Sequence, residues 1–255
     1  MGTRKLNVMP LSEQAKTEVM RYIEEMDLNR DNKLPREEVL AEMIGVSRIT
    51  IRQALNALAA EGIIFRRQGK GTFVNVDSLN IKVTFSPCME LTQMIQNSGY
   101  KPSVRLLKIS KIKRDDEIAS ILQMQKEEQL VIAEKLFLAD NQICAFCRDY
   151  FSMNLIGGEE AFDSFSKYED SIYKYIYNLS GEKVEWDKVE IDTVMPADIQ
   201  GLKRYVTVKE VGDSPYLYLK SINYSSNDKP LVYANEYFNP SIIRFNLIRQ
   251  KKIQY

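Results

Sequence analysis

The chain has 255 residues, 44% hydrophobic and 27% charged, with 35 Lys+Arg balanced by 35 Asp+Glu. This composition excludes a mostly disordered chain, and no apolar run is long enough for a membrane span. There is no histidine and there are three cysteines, which excludes histidine general-base chemistry and leaves a four-ligand zinc site without its usual donors.

The length favours two domains. The opening residues MGTRKLNVMPLSEQ lack an apolar core followed by a small-residue cleavage site, so the expected location is cytoplasmic. From Ser12 to Asp27, apolar residues at Ala15, Val19, Ile23 and Met26 follow steps of four, four and three, which predicts a helix. After the polar LNRDNKLP, Pro35 is expected to open a short second helix with Glu37 and Glu38 at its positive end. Val39, Leu40, Met43 and Ile44 would form its buried side.

Gly45 breaks that helix, and Ser47 is a natural N-cap for a third. In the third helix Ile51, Leu55 and Leu58 face inward, and Gly62 closes it. Two short β runs, IIFRR and TFVNV, joined by QGKG, predict a hairpin. Helix, glycine turn, helix and hairpin make a winged helix-turn-helix, whose second helix of the pair enters the DNA major groove. Arg48 and Arg52 share an outward face near that helix's start. Between Arg48 and Val76 the cations Arg48, Arg52, Arg66, Arg67 and Lys70 meet Glu61 as the only acid. Such a cluster suits a polyanion, and the glycines at 69 and 71 allow close backbone approach to a sugar–phosphate surface. GKGT is not a P-loop, because position 64 is Ile and Gly71 follows the lysine.

Residues 77–84 read as a linker between a DNA-binding domain (1–76) and a second domain (85–255). In the second domain, SVRLLKISKIK, QLVIAEKLFLA, QICAFCRDYF, PYLYLKSINYS and PLVYANEYF read as strands. CMELTQMIQNS, DEIASILQM and SIYKYIYNLSG read as helices. The pattern is α+β with a mainly antiparallel sheet. Cys144 and Cys147 form a CxxC, but within a strand-like run they read as small buried hydrophobes.

The stretch LPREEVLAEMIGVSRITIRQALNALAAEGIIFRRQGKGTFV resembles the DNA-binding domain of GntR-type bacterial transcription regulators. That resemblance implies DNA contacts from Ser47, Arg48, Thr50 and Arg52 of the third helix and from Gln68, Gly69, Lys70 and Gly71 of the wing. The family usually has arginine where this chain has Glu38, and Arg36 stands two places earlier as a substitute. The second domain resembles, more loosely, the UTRA effector-binding domain of the HutC subfamily, with a fold similar to chorismate lyase. Its traces are GYKP, LADNQICAF, SIYKYI and NDKPLVYANEYF.

The resemblance implies an effector pocket with Thr92, Lys135, Arg148, Ser171, Tyr173, Tyr233 and Tyr237. Phe137, Cys147 and Glu90 depart from the family pattern, and Phe137 and Glu90 disfavour a multiply anionic ligand. The expectation is a repressor that needs no cofactor, binds a pseudo-palindromic operator as a homodimer and responds to a sugar, sugar phosphate or related metabolite. The effector is expected to be weakly charged or less phosphorylated. Two rival readings remain open at this point: a pocket reduced to dimerisation, and a lyase-like enzyme.

Overall fold

The computed structural model describes residues 9–85, 88–160, 162 and 171–248. The chain divides into two compact units. One runs to Met89 and takes in the chain from Phe245; the other is Glu90–Arg244.

In the first unit the four-four-three spacing becomes helix α1, Leu11–Glu25, which buries Ala15, Val19 and Ile23. Helix α2, Glu37–Ile44, ends at Gly45, whose φ of 76° is the left-handed conformation that glycine adopts without a Cβ clash. Helix α3, Arg48–Ala60, buries Ile51, Leu55 and Leu58. Together with Leu40, Ile64 and Val74 these side chains form a single core, and each fully buried Leu or Ile stabilises it by roughly 1.5–3 kcal/mol.

Two expectations for α2 need correction. Pro35 lies outside the helix, and Arg36, in extended conformation, takes the N-cap position. Val39 and Met43 are exposed at 45% and 56%, because the inward stripe of this short helix runs through Leu40 and Ala41.

Strands β1, Ile64–Arg67, and β2, Gly71–Val74, pair antiparallel with Arg67 opposite Gly71. The wing extends sideways: Leu34 N–H donates to Thr72 O and Val74 N–H to Asn32 O. A short helix, α4 (Val76–Leu79), begins one residue before the stretch read as linker and runs into it. Beyond it the returning chain pairs in parallel at Thr84 and Asn246. Phe85 stacks on Phe245 at 4.6 Å, and Ile248 packs over Gly62. Residues Phe245–Ile248, expected with the second domain, therefore pack with the first unit.

The second unit is a six-stranded antiparallel sheet in the order β3-β4-β5-β8-β7-β6. Its strands are β3 (Pro102–Ile112), β4 (Leu130–Ala139), β5 (Gln142–Ser152), β6 (Val184–Val194), β7 (Tyr216–Ser225) and β8 (Pro230–Phe238). Asp140 and Asn141, both at positive φ, make the β4–β5 turn.

Helices α5 (Leu91–Asn97), α6 (Asp116–Ile121) and α7 (Ile172–Ser180) fall within the helical readings of the sequence. A one-turn helix, α8, spans Val208–Val211. Strand β6 was not read from the sequence: it is an edge strand, mostly exposed and rich in Asp, Glu and Lys, as edges that resist aggregation are.

The sheet has two covered faces. On one, Ile172 and Ile176 of α7 pack on Val131, Ala133 and Phe151. On the other, Ala119 and Leu122, in and just after α6, pack on Ile132 and Tyr150. Further along that second face, Ile199, Leu202 and Val211 cover Leu136, Phe146 and Tyr237.

Candidate DNA interface and ligand sites

Ser47 Oγ accepts from Thr50 N–H at 3.1 Å and lies 2.8 Å from Thr50 Oγ1. This cap fixes the start of α3. It also takes up the Thr50 hydroxyl, in a side chain that is nearly buried. Arg48 and Arg52, by contrast, are more than half exposed.

The acids that seemed absent near these arginines come from α2. Arg48 Nη2 lies 2.6 Å from Glu38 Oε1. Arg52 donates through Nε and Nη2 to Glu37 Oε2, at 3.0 and 2.8 Å. Arg66 of β1 reaches the other Glu37 oxygen at 3.7 Å. The Arg52 hydrogen bond holds the Glu37 carboxyl below the usual range, aided by the charges of Arg52, Arg66 and Arg48. Glu37 thus ties the recognition helix to the wing. Exposed pairs of this kind contribute little to stability, so the arginines can exchange them for another anion.

At the wing tip Gln68, Gly69 and Lys70 are exposed, and Gly69 and Gly71 have φ of 71° and 119°. The Arg67 guanidinium lies 5.1 and 5.2 Å from the Phe65 and Phe73 rings, which themselves stack. Arg67 therefore stiffens the wing. Arg36 is exposed beside the start of α2. The sequence reading missed Ile49, which is 70% exposed on the first turn of α3; an apolar side chain offered to solvent beside two arginines was the available signal.

The residues expected in one effector pocket fall on opposite faces of the sheet. Side chains alternate along a strand, and the register sets Lys135 opposite Cys147 but Glu134 opposite Arg148. Lys135 therefore shares the α7 face with Cys147, Asp149 and Glu236. Tyr173 packs into the cluster on that face. Ser171 immediately precedes α7, and a Lys174–Glu90 ion pair at 3.3 Å brings the start of α7 to the start of α5, where Thr92 sits. Arg148, Tyr233 and Tyr237 lie on the α6 face, with Tyr233 5.9 Å from Tyr150 and Tyr237 4.6 Å from Tyr218. A period of two places a residue on a strand face, but it does not say which face meets the ligand.

Electrostatics differ between the faces. On the α7 face, burial pushes Asp149 up to about 6, against the pull of Lys135. Burial and the nearby Asp149 and Asp187 push Glu236 up to about 8. Cys147 is driven well above its ordinary value by burial, and Cys144 is pushed up to about 12 for the same reason. Both thiols are free and buried, as small hydrophobes are. Among the described residues no group of His, Cys, Asp or Glu is arranged to hold a metal.

On the α6 face, Arg148 Nε donates to Glu134 Oε1 at 3.0 Å and Nη1 to Gln200 Oε1 at 2.9 Å. The Tyr205 hydroxyl donates to Glu134 Oε2 at 2.6 Å, and burial followed by this bond pushes its own titration up to about 12.

A capped, cationic recognition helix bridged to a basic wing, followed by a covered antiparallel sheet, defines a two-domain winged-helix DNA-binding regulator. The comparisons agree with this class. The family described as "Bacterial regulatory proteins, gntR family" matches residues 11–74, and the UTRA domain matches residues 97–244. The chain belongs to the GntR family, in its UTRA-bearing branch.

It is 25% identical over 242 residues to the HTH-type transcriptional repressor NagR of Bacillus subtilis, covering 93% of this chain and 94% of that protein. It is 23% identical to the mannosyl-D-glycerate transport/metabolism system repressor MngR of Escherichia coli, covering 95% and 97%. The crystal structure of the possible transcriptional regulator YydK from B. subtilis superposes with a TM-score of 0.68 at 20% identity, covering 95% of this chain and all of that one. PhnF from Mycobacterium smegmatis gives 0.55 at 19%, covering 93% and 100%. The fold is shared with both structures. The protein is a DNA-binding transcription regulator, and its family and named relatives are regulators, not enzymes. No helix among the described residues is long and apolar enough to cross a membrane.

Proposed function

We propose that the protein is a repressor that binds a pseudo-palindromic operator as a homodimer and is released by a small, weakly charged metabolite of the sugar class. Two-fold protein symmetry matches two half-sites, one recognition helix in each major groove. Arg48 and Arg52 read base edges and phosphates, Ile49 meets a thymine methyl, and Lys70 with Gln68, Gly69 and Gly71 follows the backbone. Ser47 and Thr50 set the start of α3, and Arg36 adds a cation at its flank.

The effector site in this reading lies on the α7 face, with Thr92, Lys135, Ser171 and Tyr173. The observation that carries it is the company Lys135 keeps. Lys135 and Asp149 are buried side by side, with the half-buried Glu236 and the exposed Asp187 further along the same face, a setting that disfavours a multiply charged phosphate ester. The relative MngR, named for mannosyl-D-glycerate transport and metabolism, supports a sugar-type ligand. An effector controls DNA binding only if it prefers one arrangement of the two units over the other.

The test is a thermal-shift screen of the full chain against neutral sugars, sugar acids and sugar phosphates, followed by operator release with each hit. A neutral or weakly charged sugar that raises Tm and frees DNA supports the reading. Release by a sugar bisphosphate alone overturns the effector class, and a monomer in light scattering overturns the dimer.

A further inference from the structure

The α6 face carries a cavity of about 220 Å³ lined by four cations from three segments: Lys108 of β3 and Lys113 just after it, Arg148 of β5, and Arg204. Glu134 and Asp115 also line it, but both acids are already committed. The two oxygens of Glu134 accept from Arg148 and Tyr205, and Asp115 Oδ1 caps α6 by accepting from the backbone N–H of Glu117 and Ile118.

Three of the four cations are not committed. Among the described residues, Lys108, Lys113 and Arg204 make no ion pair. Arg148 is 6% exposed. A guanidinium has five N–H donors; the two of Arg148 that go to Glu134 and Gln200 leave three more on a side chain that lines the cavity.

The wall over this pair is built closely. Gly201 has a φ of 91°, and a Cβ there would stand 2.9 Å from Glu134 Oε1 and 3.7 Å from Arg148 Nε. Gln200 and Tyr205, either side of it, bond to the same pair. The segment therefore holds the guanidinium in one orientation, floored by the Tyr150 ring at 5.5 Å. A fixed, desolvated arginine with spare donors and three exposed cations around it is an anion-binding arrangement.

We propose that this cavity binds a small oxyanion, the phosphate or carboxylate group of a metabolite, at a site separate from the effector site on the opposite face of the sheet. The remaining Arg148 N–H groups take the oxyanion, and Lys108, Lys113 and Arg204 close around it. The space is below the roughly 300–1,000 Å³ of drug-sized sites, so the ligand is compact.

The experiment is calorimetric titration of the full chain with inorganic phosphate, pyrophosphate and citrate at constant ionic strength. Saturable binding is expected. It should weaken at least ten-fold in the Lys108→Ala/Arg204→Ala double variant, whose side chains are exposed and do not hold the fold. It should persist in an Arg48→Ala/Arg52→Ala/Lys70→Ala variant, which removes the cations of the DNA interface. A response to phosphates assigns a phosphorylated ligand, and a response to citrate assigns a carboxylate. No saturable binding overturns the proposal, as does binding that survives the double variant or disappears in the triple one.

Discussion

Arg52 and Arg148 each face a glutamate at hydrogen-bond distance, yet they belong to different physical regimes. The Arg52 side chain is 55% exposed and its partner Glu37 comes from the neighbouring helix. The Arg148 side chain is 8% exposed, and Glu134 is its partner across the β4–β5 ladder. In the winged-helix unit, charge pairs sit in water, cost little to open and leave the arginines available to DNA. In the sheet unit, the Arg148–Glu134 pair is buried, so each of its charges must be satisfied by a fixed partner or by a ligand.

The comparison breaks most directly at Arg148. Arg148→Ala leaves Glu134 buried without its cation and should cost about 3–5 kcal/mol in urea unfolding. Arg52→Ala should leave the urea midpoint nearly unchanged while weakening operator binding. Equal stability losses in the two variants would erase the distinction.

Gly201→Ala forces a side chain into a left-handed position against Glu134 Oε1, and a loss of about 2 kcal/mol or more is expected. The same denaturant titration checks it.

The α7 face sharpens the point through pH. Glu236 titrates at about 8 in the folded chain against an ordinary 4.5. Between those values the folded state holds a proton the unfolded state has lost, so this group's contribution is full below about 4.5 and declines as pH rises to 8. Glu236→Gln should therefore stabilise the protein at pH 8, by on the order of 2 kcal/mol. The gain should fade towards pH 5, and Tm measured across that range decides it.

On the DNA side, Arg48→Ala should cost about 1–3 kcal/mol of specific binding and relax sequence preference, read by anisotropy on operator and mutated operator. The smallest effect is expected at Lys70. Lys70→Ala should weaken binding to all sequences alike and lower the salt-dependence slope by about one ion.

The winged-helix unit was largely legible because its signals are local. Helix period, the Gly45 break, the Ser47 cap and the Gly69–Gly71 tip all lie within a few residues of what they control. What escaped there was tertiary. Glu37 and Glu38 are ten or more residues from Arg48 and Arg52 in the chain and meet them only once α2 and α3 pack. Val39 and Met43 turned outward because so short a helix buries only the narrow stripe of Leu40 and Ala41.

In the second unit the strongly apolar strands were legible by period, whereas β6 was not. Its alternating acids and lysines look like a solvated loop until β7 supplies its hydrogen bonds. The effector residues show the limit most clearly. Residue chemistry and the family pattern named Lys135 and Arg148 as candidates for one pocket, and the strand register put them on opposite faces. The amino-acid sequence by itself determined the fold class, the winged helix-turn-helix and the family, because helix caps, glycine turns and hydrophobic period act over a few residues. Only the tertiary structure decided which charges are paired, which are buried and which remain free for a ligand, because those follow from strands that are distant in the chain and adjacent in the sheet.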